Sequence, residues 1–341
     1  MTQLSIEDKK YQECQPLSAL NDNSPIEFFI PVDGEKYLDL NDAMLHLRVK
    51  ITERDGTDIP PNAGVALINY PLNTIFSQCD VILGDRLISQ SSATHPYRAM
   101  IETLLNFSED TLKSQFSAGL FYKDTAGAMD SIVINNGPNK GIQQRAVFTG
   151  ESREVDLLGP LHADIFFCEW LLLNSVCLLP DGDSRFAVCS ENNFGLSGMV
   201  HHDAFTRRRD LSPFNFRHND VEYLALCQEG RQVPAKAFQP QFDHGNSVRE
   251  FYHMFSATGR HLKDLPLSID RREFNEGYAL FAFNLEPSED ADALSPVSNG
   301  NLRLEMRFRV PLPQTTTLIV YACYNSILEI DSKRQVLVDY Y

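Results

Sequence analysis

Strict alternation of apolar and polar residues dominates two distant stretches of the chain. Leu45, Leu47, Val49 and Ile51 alternate with His46, Arg48 and Lys50. Leu302, Leu304, Met306, Phe308 and Val310 alternate with Arg303, Glu305, Arg307 and Arg309. A period of two puts one face of an extended strand on a core and the other in water. A helix cannot use such a pattern, so both ends of the chain are expected to be β. Asp55-Gly56 and Asn299-Gly300 supply turn residues beside these stretches. Phe281, Phe283 and Leu285 alternate too, and the continuous apolar run from Leu318 to Tyr321 predicts a strand buried on both faces.

Helical signals are few. After Pro96, residues Tyr97, Met100, Ile101, Leu104 and Leu105 fall on one stripe of an α-helix. Ser108, followed by Glu109 and Asp110, predicts a second helix start. The strand–turn–strand pattern from Asp80 to Leu87 recurs from Glu222 to Val233. Each copy is followed by a helical pattern, the second running from Val248 through Tyr252 and Phe255. Hairpin-then-helix occurring twice predicts two similar β units in tandem, which the length of 341 residues accommodates.

Phe is abundant (22) and Trp170 is the single Trp; Phe fills a dry core without needing a hydrogen-bond partner. The net charge of −16 makes the chain a poor binder of phosphate backbones, and no sequence-specific nucleic-acid binding is expected. The triplet Arg207-Arg208-Arg209 is a local exception, best read as a solvated loop. The seven cysteines (Cys14, Cys79, Cys168, Cys177, Cys189, Cys227, Cys323) form no C-x-x-C pair, which argues against zinc or a disulfide framework and fits a reducing compartment. The polar N-terminus, with Glu7, Asp8, Lys9 and Lys10, reads as lacking a secretory leader. No apolar run approaches the ~18 residues that span a membrane.

Several stretches resemble the double jelly roll major capsid proteins of Polinton/Maverick elements and adintoviruses. They are Pro25-Ile26-Glu27-Phe28-Phe29-Ile30-Pro31, Tyr37-Leu38-Asp39-Leu40-Asn41-Asp42, and the helix from His95 to Leu105. Tyr122-Lys123-Asp124-Thr125-Ala126-Gly127, Pro213-Phe214-Asn215-Phe216, Glu276-Gly277-Tyr278 and Asn301-Leu302-Arg303-Leu304 follow in the same order. These are packing and turn motifs, specific as a set. The resemblance implies two jelly rolls per chain, three chains per pseudo-hexagonal capsomer and an icosahedral shell, with the chain itself and a minor penton protein as partners. It implies no catalytic residue and no cofactor. Its location would be the virion if a virus or element encodes it, and otherwise intracellular.

On this reading the chain is all-β, a tandem jelly roll with short helices in the loops. Residues 1–24 form a flexible arm, 25–176 the first roll, 177–199 a divergent connection, and 200–341 the second roll. The connection turns polar at Leu179-Pro180-Asp181-Gly182-Asp183-Ser184 and matches nothing in the family. The first hairpin starts about 55 residues after Pro25, and about 120 residues follow Glu222, so equal units would overlap by roughly 30 residues. The middle is therefore too short for two complete rolls, and late strands of the first and early strands of the second are expected to be missing. Such a loss exposes sheet edges and part of a core, as in an altered or decayed copy or an incorrectly spliced gene.

Two other function classes have residues to test. His201-His202-Asp203 contains His-x-Asp, which on a strand puts an imidazole and a carboxylate on one face; His253 or His261 would complete an Fe(II) triad. Tyr252 and Phe242, if exposed, could stack on sugars in a glycan- or protein-binding module. Gly195-Leu196-Ser197-Gly198 is not a nucleophile elbow. Gly137-Pro138-Asn139-Lys140-Gly141 lacks the spacing of a phosphate loop and reads as a surface turn.

Overall fold

The computed structural model describes residues 8–20, 25–30, 37–60, 63–83, 86–89, 92–167, 171–173, 185–188, 194–264, 267–285, 301–323, 326–330 and 336–340. Trp170, Cys168, Cys177, Cys189, the polar run 179–184, Asn299 and Gly300 lie outside them. The chain is rich in strands that pair antiparallel in small sheets, with short helices between.

In the N-terminal part, β1 (Tyr37–Leu38) pairs with β6 (Leu172–Leu173), β2 (Met44–Val49) with β5 (Val155–Pro160), and β3 (Ile82–Leu83) with β4 (Arg86–Leu87). These pairs are nested, each enclosing the next along the chain. The alternation in β2 works as the sequence predicts. Leu45 is buried, whereas His46 and Arg48 face outward and share Asp156 on β5, at 2.6 and 3.4 Å.

The C-terminal part contains β8 (Phe194–His201), β9 (Val221–Gln228), β10 (Arg231–Phe238), β11 (Phe281–Asn284), β12 (Leu302–Phe308) and β13 (Thr316–Ala322). They form two three-stranded sheets, ordered β10-β9-β12 and β11-β8-β13. The sheets face each other: the Phe238 and Phe283 rings lie 5.5 Å apart, and Gly195 looks onto Leu226. Here too the β9–β10 hairpin is nested inside the β8–β11 pair. The expected connection 177–199 does not end where a unit begins, because Phe194 to Met199 already belong to β8.

β13 corrects one expectation. Ile319 is buried, but Leu318 and Val320 are 39% and 60% exposed. The apolar run therefore has one buried face and one exposed face. Conversely, Phe281, Ala282 and Phe283 of β11 are all buried, which the alternation there did not foresee.

The helices fill the loops. α1 (Pro71–Thr74) precedes α2 (His95–Asn106), which buries the whole predicted stripe of Tyr97, Met100, Ile101, Leu104 and Leu105. Pro96 suits the first turn of α2, where a missing N–H costs nothing. α3 (Glu109–Ser114) is capped by Ser108, as its sequence predicts. α4 (Lys140–Thr149) is capped by Asn139, α5 (His202–Phe205) follows β8, and α6 (Val248–Ala257) packs on β11. α7 (Arg271–Asn275) starts with a reciprocal Asp270–Glu273 capping box. Hairpin then helix thus occurs twice, as β3–β4 before α2 and β9–β10 before α6.

One buried cluster runs without a break from Leu45 and Tyr70 through α2 to Phe238, Leu280 and Ile319. The two parts therefore share a core. β7 (Arg185–Val188), β14 (Ser326–Ile330) and β15 (Val336–Tyr340) form a third sheet, ordered β15-β14-β7. Leu328 and Val336 join Leu40 and Ile165 in a smaller cluster, so the last strands fold back onto the N-terminal part. The expected boundary at residue 200 ignores that return.

Candidate functional site at the junction of the two units

Side chains distant in sequence meet where α2 and the loop after Phe121 touch the C-terminal sheets. Glu102 projects from the buried side of α2. Its carboxylate accepts hydrogen bonds from His162 Nδ1 at 2.8 Å, from Arg98 Nε at 2.8 Å and from the Tyr321 hydroxyl of β13 at 2.9 Å. Arg98 also reaches Asp164 at 2.5 Å. The Tyr70 hydroxyl lies 3.2 Å from His162 Nε2, and the Cys323 thiol lies 3.1 Å from the Tyr321 oxygen. Burial works to raise the Glu102 carboxyl, but His162, Arg98 and Tyr321 together outweigh it and hold the group down at about 2. Burial pushes the Cys323 thiol up to about 11, so it is no activated nucleophile. The His162 side chain is closed to solvent. A largely buried, mutually bonded cluster of this kind holds two elements together.

A second cluster sits on the loop between Phe121 and α4. Asp124 accepts from Arg145 and from Asn139, each at 2.9 Å, and the Tyr278 hydroxyl donates to the Asp124 carbonyl at 2.8 Å. Asn139 is thus a buried cap and not part of a plain surface turn. Lys123 pairs with Glu273 at 2.5 Å. Asp130 accepts from the Ser212 N–H and the Asn215 amide, each at 2.8 Å, and pairs with Arg217. The Gly127 N–H donates to the Glu276 carbonyl, the Phe216 N–H to the Gly277 carbonyl at 2.8 Å, and the Ala279 N–H to the Phe216 carbonyl at 3.0 Å. Gly277 is required: its φ is 137°, and an added Cβ would sit 2.5 Å from Met129 Sδ. Beside it opens a cleft of about 620 Å³, whose lining includes Asp130, Asn215, Arg217, Asn219 and Glu276.

Three of the quoted sequence motifs therefore converge. The 122–127, 213–216 and 276–278 stretches, far apart in the chain, bond to one another at this junction. The sequence signalled them as motifs but not as neighbours. It gave no sign of the Glu102 partners, although a carboxylate between Ile101 and Thr103 on an otherwise buried helix face could have been flagged.

The candidate iron ligands are not gathered. His201 ends β8 and caps α5 by accepting from the Asp203 N–H at 3.0 Å. Asp203 lies in α5, off the strand, and binds Arg208 at 3.1 Å. His253 stands on α6 edge-on to Phe238, with its ring held below the usual range by burial and then Arg249. His261 contacts Tyr252. Among the described residues no group of three His, Cys, Asp or Glu could hold a metal ion. Arg208 is held by Asp203 and Asp210, as a solvated loop demands. Phe242 stacks on His218 at 3.9 Å, so of the two candidate sugar platforms only Tyr252 is exposed. Ser197 is buried in β8. Among the described residues no helix is long and apolar enough to cross a membrane.

No family profile matches the chain, and no solved structure matches it. It is similar to the uncharacterized protein F54H12.2 of Caenorhabditis elegans, 21% identical over 417 residues, covering 99% of each chain. That match is longer than the 341 residues here, so the relative carries residues along its length that this chain lacks.

Proposed function

We propose that the chain is a structural, capsid-type protein of the double jelly roll class, built to self-associate into trimeric pseudo-hexagonal capsomers of a shell. The observation that carries the reading is the strand order. A jelly roll is a long antiparallel ribbon, pairing strands 1:8, 2:7, 3:6 and 4:5, rolled up so that strand 8 also meets strand 3 and strand 7 meets strand 4. In the C-terminal unit β9–β10 fits the 4:5 pair and β8–β11 the 3:6 pair. β13 lies on β8 and β12 on β9, as strands 8 and 7 would. In the N-terminal unit the nested β1–β6, β2–β5 and β3–β4 pairs fit 2:7, 3:6 and 4:5.

The junction supports the same reading. A shell protein must transmit load between its two rolls without hinging, and a shared core with sealed ion pairs resists hinging. A shortened copy is also consistent with a relative that carries residues this chain lacks. Light scattering on the chain as it elutes from a sizing column tests the proposal. A trimer or a larger closed particle is expected. A monomer at every concentration tried would overturn it.

A further inference from the structure

The cleft beside Gly277 has the size of a ligand site, and its chemistry is selective. At about 620 Å³ it falls within the ~300–1,000 Å³ of small-molecule sites. Its charges are already matched. Asp130 pairs with Arg217, and Glu276 pairs with Arg272 at 3.1 Å. An ionic ligand would have to compete with one of these pairs, so the cleft does not select for charge. The other polar groups of the lining are neutral, and they include both donors and acceptors.

Each of these neutral groups is fixed by a bond it already makes. Asn215 gives its amide N–H to Asp130 at 2.8 Å, which leaves Oδ1 to accept. Asn275 takes the Ser247 hydroxyl on Oδ1 at 2.6 Å, which leaves Nδ2 to donate. The Asp220 N–H donates to His218 Nδ1 at 3.0 Å, so the neutral ring carries its proton on Nε2. Burial holds that ring below the usual histidine range, and Phe242 stacks on it at 3.9 Å and steadies its plane. Asn219 joins the lining through a strained backbone: φ is 47° there and 50° at Asp220. Two left-handed residues in succession, neither a glycine, are costly, and such strain collects at ligand sites. Met129 and Pro138 add apolar surface to the lining.

We infer that this cleft binds a short neutral saccharide. A sugar hydroxyl donates and accepts at once, so a ring carrying several of them satisfies fixed donors and fixed acceptors together. A planar carboxamide spans two neighbouring hydroxyls, and the C–H face of the ring packs on Met129 and Pro138. A phosphate brings acceptors alone and would leave Asn215 Oδ1 unpaired and face Asp130 and Glu276. An ammonium brings donors alone and would leave Asn275 Nδ2 and His218 Nε2 unused. The sequence suggested that Phe242 itself stacks on sugar; the structure instead sets it against His218, a residue of the cleft. Saccharide binding needs no second copy of the chain, so it stands or falls separately from the shell reading.

The test is a glycan array probed with the labelled full-length chain, carrying neutral hexose and N-acetylhexosamine oligosaccharides beside sialylated and sulfated ones. The strongest hit is then titrated against three variants. Asn275→Asp keeps the acceptor for Ser247 and removes the donor to the cleft. Asn219→Gly removes a carboxamide at a position where glycine accepts the positive φ. Tyr252→Ala removes the exposed ring that lies outside the cleft lining. Urea unfolding checks that each variant folds. A neutral glycan should bind, Asn275→Asp and Asn219→Gly should each weaken it about tenfold, and Tyr252→Ala should leave it unchanged. Silence across the array, or binding of the anionic glycans alone, would overturn the inference. So would a loss confined to Tyr252→Ala, which would put the sugar on that ring.

Discussion

Replacing Glu102 by Gln keeps the side-chain shape on α2 and removes the charge on which His162, Arg98 and Tyr321 converge. The expected cost follows from the structure. A carboxyl held at about 2 against an ordinary 4.5 contributes about 3 kcal/mol of folding stability at neutral pH. Truncating one member of a buried ion pair costs about 3–5 kcal/mol on independent grounds, since the partner charge is left stranded. The two figures agree. Because the folded value lies below the unfolded one, the contribution is complete above pH 4.5 and is lost as pH falls through about 2. Urea unfolding of parent and variant at pH 7 and at pH 3 measures it. The variant should be less stable by about 3 kcal/mol at pH 7, and the gap should narrow at pH 3. A gap under about 1 kcal/mol at pH 7, or one that does not change with pH, would refute an electrostatic clamp and leave packing as the cause.

Further outcomes follow from the same junction. His95 is held at about 4, against 6.5, by burial and then by His162 and Arg98, so its contribution is lost as pH falls from 6.5 through 4. His95→Gln should flatten the stability profile in that window, above the one that Glu102 governs. Tyr278→Phe removes the donor to the Asp124 carbonyl and should cost about 1–3 kcal/mol in thermal or urea unfolding. Gly277→Ala should cost more than about 1 kcal/mol, since it meets both a positive φ and Met129; a neutral result would mean that the 276–278 turn does not set the junction.

Some of this was legible from residue order. Period two in β2 and β12, the apolar stripe and Pro96 of α2, and the Ser108 cap are local signals, because the spacing of side chains along one element decides which face can be buried. The double hairpin-then-helix pattern could also be counted along the chain. The tertiary structure decided the rest. An apolar run such as 318–321 does not reveal whether a neighbour will cover both faces, and Val320 is left exposed. Glu102 and His162, sixty residues apart, or Asp124 and Tyr278, further still, have no periodic relation to betray their contact. The sequence by itself determined which segments are strands and which faces are apolar, since both follow from local geometry. Only the tertiary structure decided which of those faces found partners, because that depends on which distant segments arrive at the same place.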